Sequence, residues 1–311
     1  MNRLTKTLKK SDPLTETKNI DGWQVYITRP QEKRDLPPIL FSHATGFSAL
    51  TYKEFLQQWS DKTGRIIYSY DVRGFGDTQH KFSKQHQVKT HNLWLDLAED
   101  LAGVIATIAS LESIQRTNDI ILSGHSSGAV FSILAGSILE TKKLVIFDPV
   151  ALSFFQEKGW NILALINKRH KHPVALSTAN RKKSFADKEQ ALAYYQKKSF
   201  FKDFTDDALN NYLDGSFRMN GTYNLKFNPH DEALIFETQP LNMARYLKTY
   251  TNEEFRNHTD ITIYGVESSI MLGQYPCLYL GHLFKNAKIL ILPHGGHMFP
   301  LEKYTDLIDA L

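Results

Sequence analysis

The chain has 311 residues, of which 42% are hydrophobic and 23% are charged, as in typical globular proteins and unlike disordered ones. Its single cysteine, Cys277, excludes a disulfide framework and a cysteine-rich zinc or iron–sulfur site. The net charge of +4 is small and dispersed, so no nucleic-acid partner is expected. No apolar run reaches the roughly 18 residues of a transmembrane segment.

The amino-terminal residues 1–17 are basic and lack the apolar stretch of a signal peptide. We therefore expect a cytoplasmic protein. Its expected oligomeric state is a monomer or a homodimer.

Seven short apolar runs along the chain are typical of strands buried in a parallel sheet. Two segments between them, Leu93–Leu111 and Ala129–Leu139, have the apolar pattern of helices packed against a sheet. This alternation predicts an α/β fold with a doubly wound, mostly parallel central sheet. The predicted strands are Trp23–Thr28, Ile39–Ser42, Arg65–Tyr70, Ile120–Ser123, Leu144–Phe147, Ile261–Tyr264 and Lys288–Leu292.

The alternation stops after Asp148 and resumes at Ile261. The intervening residues are aromatic and basic, with helix-like pieces, and no Gly/Ser/Pro linker marks either boundary. We therefore predict one α/β core, formed by residues 1–149 plus 260–311, with an inserted helical cap at 150–259.

The strongest motif is Gly-His-Ser-Ser-Gly at residues 124–128, directly after a predicted strand and before a helix. This is the G-x-S-x-G turn, which exposes a nucleophilic serine, here Ser126. The small flanking residues let strand and helix approach closely. The Ser127 backbone N–H at the helix start is predicted to face the developing oxyanion. His125, beside the serine, is expected to contribute to the substrate-binding region.

A histidine after the last strand is needed as the general base, and two occur in the sequence HGGHMFP at 294–300. We favour His297, because the paired glycines let the loop project its side chain, and we expect His294 to stabilise the loop. No carboxylate or cysteine lies at ligand spacing from this His-x-x-His pair, so no metal site is predicted.

Two carboxylates are candidates for the acid that orients the base. Asp148 ends a strand and precedes Pro149, which places it at the active edge of the sheet. Glu267 lies just beyond the strand at 261–264, where Ser268 occupies the spacing expected of an aspartate. The two are almost equally supported, and we favour Asp148.

The first loop, HATGF at 43–47, is predicted to complete the oxyanion hole. Thr45 is the expected second backbone donor, Ala44 and Phe47 are expected to line the pocket, and His43 to tie the loop down. The loop at 71–77 is interpreted as a structural turn. No phosphate-binding glycine motif is present.

The motifs HATGF, DVRGFGD, GHSSG, FDP and GGHMFPLE occur in the order found in the α/β-hydrolase superfamily, which the chain resembles over nearly its whole length. It is most similar to a bacterial branch with an HANGF-like first loop and a GGHMFPLE ending. The resemblance implies a Ser–His–acid hydrolase with a mobile helical cap. It argues against dehalogenase and epoxide hydrolase activity, which use an aspartate as nucleophile. The departures are Ala44, where glycine is usual, and the ambiguous acid.

These residues predict hydrolysis of an ester with a small or medium acyl group, through an acyl-enzyme and without a cofactor. The expected partner is a small, ester-like, apolar or aromatic molecule. The cap aromatics that are candidates for lining its pocket are Phe154, Phe155, Trp160, Phe200, Phe201 and Phe204, although most of them are expected to fill the cap's own small core instead.

Other readings remain open. The same three groups serve carbon–carbon bond hydrolases and cofactor-free peroxidases, and the fold also occurs in non-catalytic ligand-binding proteins. The basic clusters at 168–172 and 181–183 fit a solvated surface, or a surface that attracts anionic substrates or a membrane.

Overall fold

The computed structural model of the chain has an eight-stranded sheet at its centre. The structure describes residues 15–87, 92–112, 114, 116–150, 159, 162–163, 168–269, 277, 280–303 and 306–311. The amino-terminal residues 1–14 and the predicted pocket residues Phe154, Phe155 and Trp160 lie outside the described residues.

The central sheet has the strand order β1-β2-β4-β3-β5-β6-β10-β11. Strands β1 and β2 pair antiparallel, as do β2 and β4, and every other neighbouring pair is parallel. The predicted doubly wound, mostly parallel α/β sheet is therefore confirmed. Its strands are β1 (Thr15–Ile20), β2 (Trp23–Thr28), β3 (Ile39–Ser42), β4 (Ile67–Tyr70), β5 (Ile121–His125), β6 (Lys143–Phe147), β10 (Asp260–Val266) and β11 (Asn286–Leu292).

The helices of the described chain pack on both faces of this sheet or lie between β6 and β10. They are α1 (Lys53–Thr63), α2 (Leu93–Leu111), α3 (Ser127–Leu139), α4 (Pro173–Ala179), α5 (Lys188–Gln196), α6 (Asp206–Ser216), α7 (Pro229–Glu237), α8 (Met243–Tyr250), α9 (Glu253–His258) and α10 (Leu307–Ala310). No helix in the described ranges is long and apolar enough to cross a bilayer.

Helix α3 brings the G-x-S-x-G turn into the centre of the fold. Its first eleven residues are all buried, and they are apolar or small, because the helix is covered by the sheet on one side and by α2 on the other. Helix α2 alternates buried and exposed positions, as expected of an amphipathic helix with one face in the core.

The segment between β6 and β10 contains a feature that the sequence did not predict. Besides α4–α9 it forms a three-stranded antiparallel sheet in the order β7-β9-β8, from β7 (Ser184–Phe185), β8 (Phe217–Asn220) and β9 (Thr222–Leu225). Asp77, in the loop after β4, forms ion pairs with Arg218 and Lys226 of this segment. These contacts attach it to the loop at 71–77.

Candidate active site

Ser126 occupies a strained turn between β5 and α3. Its backbone has φ 58° and ψ −119°, in the positive-φ region that residues other than glycine rarely adopt. A Cβ on Gly124 would overlap the carbonyl oxygen of Gly128, and one on Gly128 would overlap that of Ser42. The two glycines therefore let β5, α3 and β3 approach closely enough to form the turn that projects Ser126.

A hydrogen-bonded chain joins Ser126, His297 and Asp148. Nε2 of His297 lies 3.0 Å from Oγ of Ser126, and Nδ1 lies 2.7 Å from Oδ2 of Asp148. A carboxylate only accepts hydrogen bonds, so Nδ1 carries a proton, and in the tautomer with the proton on Nδ1 the Nε2 atom can accept from the serine hydroxyl. Asp148 is fully buried and the His297 side chain is 11% exposed. This is the arrangement in which an imidazole can remove the serine proton.

The position of Asp148 follows from the pairing of β5 with β6. His125 and Phe147 are partners in that parallel ladder, so Ser126 and Asp148 each follow the end of neighbouring strands at the same edge of the sheet. Asp148 also has a positive φ, 35°, which turns the chain sharply there. Ser269, after β10, donates a hydrogen bond of 2.7 Å to Oδ2 of Asp148.

The alternative acid, Glu267, is not brought to the histidine. It is exposed in the turn after β10, and only its backbone N–H is tied down, by the carbonyl of Leu292. Of the two candidates, the carboxylate at Nδ1 of His297 belongs to Asp148.

The predicted oxyanion donors lie beside Ser126. Ser127 is the first residue of α3, where backbone N–H groups have no acceptor within the helix. The backbone N–H of Thr45 donates to Oγ of Ser127 at 2.9 Å, and the two side-chain hydroxyls are 2.8 Å apart. Both residues line the same cavity as Ser126. A substrate oxygen that uses the Thr45 donor must therefore replace the Ser127 hydroxyl.

His125 does not line this cavity, in contrast to the sequence expectation. It is fully buried, and Nε2 donates to the carbonyl of His297 at 2.8 Å, because a carbonyl can only accept. Burial and the neighbouring His297 hold the pKa of His125 well below its ordinary value, so Nδ1 accepts from the Tyr52 hydroxyl at 2.7 Å. The Tyr52 oxygen in turn accepts from the backbone N–H of Ala44 at 3.4 Å.

This network connects the first loop to the loop that carries His297. His43 ties the first loop to the loop after β4. Its Nδ1 donates to the Ala44 carbonyl at 2.8 Å, and its Nε2 accepts from the Val72 N–H at 2.9 Å. Burial lowers the pKa of His43 to about 4, so it is neutral. His43 thus has the structural position expected from the sequence. His294 is exposed on the loop before His297.

The cavity above Ser126 has a volume of about 550 Å³. On the core side it is lined by residues of the first loop and the turn, including the predicted Ala44, Thr45 and Phe47. Phe200 and Phe201 line it as expected, whereas Phe204 is buried among other aromatic rings outside it. Trp94, Val150, His297 and Met298 also line the cavity. The rest of the wall comes from α4, α5 and α7 and the residues next to them: Val174, Ser177, Thr178, Asn180, Arg181, Lys182, Tyr194, Tyr195, Lys198, Glu232, Ile235, Phe236 and Gln239.

A charged pair in this wall was missed by the sequence analysis. Arg181 donates to Oε1 of Glu232 at 2.5 Å and to the Tyr212 hydroxyl at 2.9 Å. Glu232 is only 2% exposed; burial raises its pKa, and the Arg181 guanidinium opposes that shift. A Cβ on Gly46 would overlap the Glu232 carboxylate, so the pair lies directly against the first loop.

A serine in a strained strand-to-helix turn of an α/β sheet, hydrogen-bonded to a histidine after the last strand, is typical of one class of proteins, and comparison with known proteins agrees with it. A model of the alpha/beta hydrolase family matches residues 39–310, so the chain belongs to this family. The resemblance stated from the sequence motifs is thereby confirmed.

Individual relatives are distant. The mouse sn-1-specific diacylglycerol lipase ABHD11 is 21% identical over 286 residues, which cover 89% of this chain and 80% of the lipase. Among solved structures, E-2-(acetamidomethylene)succinate hydrolase has a TM-score of 0.66 at 16% identity, covering 96% of this chain and 97% of its own. An esterase of Mycobacterium tuberculosis has a TM-score of 0.63 at 14% identity, with 96% and 89% covered. The two structures establish the likeness of fold.

Proposed function

We propose that the protein is a serine hydrolase that cleaves esters of small or medium acyl groups through an acyl-enzyme. The observation that carries the proposal is the chain of hydrogen bonds from Asp148 through His297 to Ser126, with distances of 2.7 and 3.0 Å. Its three members come from three loops at one edge of the sheet. Loops are the usual site of catalytic residues in such folds.

In the first half-reaction, Oγ of Ser126 attacks the ester carbonyl while Nε2 of His297 takes the hydroxyl proton. The Asp148 carboxylate stabilises the imidazolium that forms. The backbone N–H groups of Ser127 and Thr45 bind the negative oxygen of the tetrahedral intermediate. The intermediate collapses to the acyl-enzyme as His297 passes the proton to the departing alkoxide.

In the second half-reaction, Nε2 of His297 removes a proton from water, and the hydroxide attacks the acyl carbonyl. The C–O bond to Ser126 breaks, and the serine oxygen regains the proton from His297. The carboxylic acid is released, and no cofactor takes part in either half-reaction.

The cavity supports an acyl group of limited size. A volume of about 550 Å³ lies within the range of small-molecule sites, and aromatic side chains such as Phe47 and Phe201 supply apolar contact to an acyl chain. The names of the lipase and esterase relatives refer to ester substrates, which favours this bond type for the present chain.

The test is the hydrolysis of p-nitrophenyl esters from acetate to decanoate, measured for the wild type, Ser126→Ala and the control Ser184→Ala. Ser184 is exposed on β7 and outside the cavity, so its variant should keep wild-type rates. We expect Ser126→Ala to lose at least about 10³-fold in kcat while melting at the same temperature. Turnover retained by Ser126→Ala would refute the proposal.

A second measurement separates other bond types from a non-catalytic role. A fluorophosphonate should add one covalent label to the wild type and none to Ser126→Ala, as read by intact mass. Labelling without ester turnover would point to the other reactions of this triad, such as carbon–carbon hydrolysis. No labelling of the folded protein would favour ligand binding alone.

A further inference from the structure

The wall of the cavity has a surplus of positive charge. Three cationic side chains line the cavity, Arg181, Lys182 and Lys198, against one carboxylate, Glu232. That carboxylate is already bound to Arg181. The two lysines are left as uncompensated cations of the wall.

Both lysines gather around one aromatic ring. Nζ of Lys198 lies 4.6 Å from the centroid of the Tyr194 ring, and Nζ of Lys182 lies 5.5 Å from it. Nζ of Lys182 also lies 4.4 Å from the ring of Phe185. Within the described residues neither ammonium forms an ion pair with a carboxylate. The Tyr194 ring thus places both ammonium groups in one region of the wall, although the repulsion between like charges opposes this.

Apolar surface lies next to these cations. Phe200, which lines the same cavity, is 53% exposed, although its ring packs against those of Phe47 and Phe201. An exposed phenylalanine beside two unpaired lysines suits a ligand with an apolar body and a negative end. A purely apolar ligand would leave both ammonium groups without an anionic partner.

We propose that the substrate is an anionic ester, with a carboxylate or similar negative group remote from the scissile bond, and that Lys182 and Lys198 bind this group. The scissile carbonyl then lies at Ser126, the apolar part contacts Phe200 and Phe201, and the negative group lies between the two ammonium groups. This inference rests on the proposed esterase function and narrows its substrate class.

The experiment uses two isosteric substrates, the 4-nitrophenyl monoester of adipic acid and the 4-nitrophenyl ester of its terminal monoamide. They differ in one negative charge. In the wild type we expect kcat/KM to favour the anionic ester by about tenfold, the effect of two partly exposed ion pairs. In Lys182→Gln/Lys198→Gln this ratio should fall to about one, and added salt should lower it in the wild type.

The matched control is Lys183→Gln. Lys183 is exposed in the same basic run but does not line the cavity, so its variant should keep the wild-type ratio. A charge reversal, Lys182→Glu/Lys198→Glu, should make the monoamide ester the better substrate. An equal rate for both esters in the wild type, or a ratio that the glutamine variant leaves unchanged, would overturn the proposal.

A binding measurement keeps this inference distinct from the proposed function. The ligands are the N-butyl monoamide of adipic acid, which keeps one carboxylate, and N-butyl adipamide, which is neutral. Neither contains an ester, and calorimetry gives the dissociation constant of each. Tighter binding of the anionic amide that depends on the two lysines supports the inference even if no ester is turned over. Ester turnover without any preference for the negative charge refutes the inference alone.

Discussion

Asp148→Asn should reduce ester hydrolysis by about four orders of magnitude, and the loss can be estimated from the geometry. Oδ2 of Asp148 lies 2.7 Å from Nδ1 of His297. Opposite unit charges at that distance attract by about 6 kcal/mol at an effective dielectric constant of about 20. This attraction exists only once the imidazole is charged, as it is in the transition state. Since about 1.4 kcal/mol corresponds to a tenfold rate, its loss predicts about a 10⁴-fold lower kcat.

The assay compares kcat for p-nitrophenyl butyrate in Asp148→Asn and in Glu267→Gln, which also exchanges a carboxylate for an amide. Glu267 is exposed and away from His297, so its variant should remain within about twofold of the wild type. Rates of fluorophosphonate labelling give a second readout of Ser126 reactivity. A severe loss in Glu267→Gln combined with retained activity in Asp148→Asn would refute the assignment of the acid.

Three further changes test other parts of the site. Gly128→Ala, whose new Cβ would overlap the Ser42 carbonyl, should lower the free energy of unfolding by about 1–3 kcal/mol in urea titrations; an unchanged midpoint would contradict the close approach. Ser269→Ala removes a 2.7 Å hydrogen bond to Asp148 and should lower kcat about tenfold with little effect on KM. The pH profile of kcat should shift as well. Ser269→Thr, which keeps the hydroxyl, should restore both kcat and the pH profile. Burial lowers the pKa of His43 from 6.5 to about 4, so on acidification the unfolded chain binds the proton first, and the free energy of unfolding falls as the pH falls. From about pH 7.5 down to about pH 5, His43 should lower the free energy of unfolding, measured by urea titration, by about 2 kcal/mol. The same pH dependence in His43→Gln as in the wild type would contradict this prediction.

The parts of the fold that the sequence predicted are those with strong local patterns. The seven predicted strands all occur in the central sheet, with ends that differ by a few residues. Six of them are mostly buried and therefore apolar, and β11, at the sheet edge, is apolar although it is only partly buried. Strand β1 was missed because its residues, Thr15–Ile20, are polar and lie at the exposed edge. The strands β7–β9 were missed because they have only two to four residues each.

The residues of the site also differ in whether a local sequence pattern indicates them. Ser126 and His297 could be proposed from the sequence because short motifs with glycines impose the turns that expose them. The choice between Asp148 and Glu267 depended on which carboxylate reaches Nδ1, and that distance follows from strand pairing rather than from any local pattern. The contact between Arg181 and Glu232 joins residues 51 positions apart and leaves no motif. Only the basic run at 181–183 marked that region.

The position of Asp148, after β6 rather than after β10, affects how this chain should be aligned with its relatives. Ser126 and Asp148 follow two hydrogen-bonded strands, and only 21 residues separate them in the sequence, so one β-α-β unit carries both groups. An alignment that seeks the acid after β10 finds Ser268 there and would class the chain as an inactive member of its family. A search for proteins with the same arrangement as this chain would therefore look for an aspartate after β6 together with a hydroxyl residue after β10.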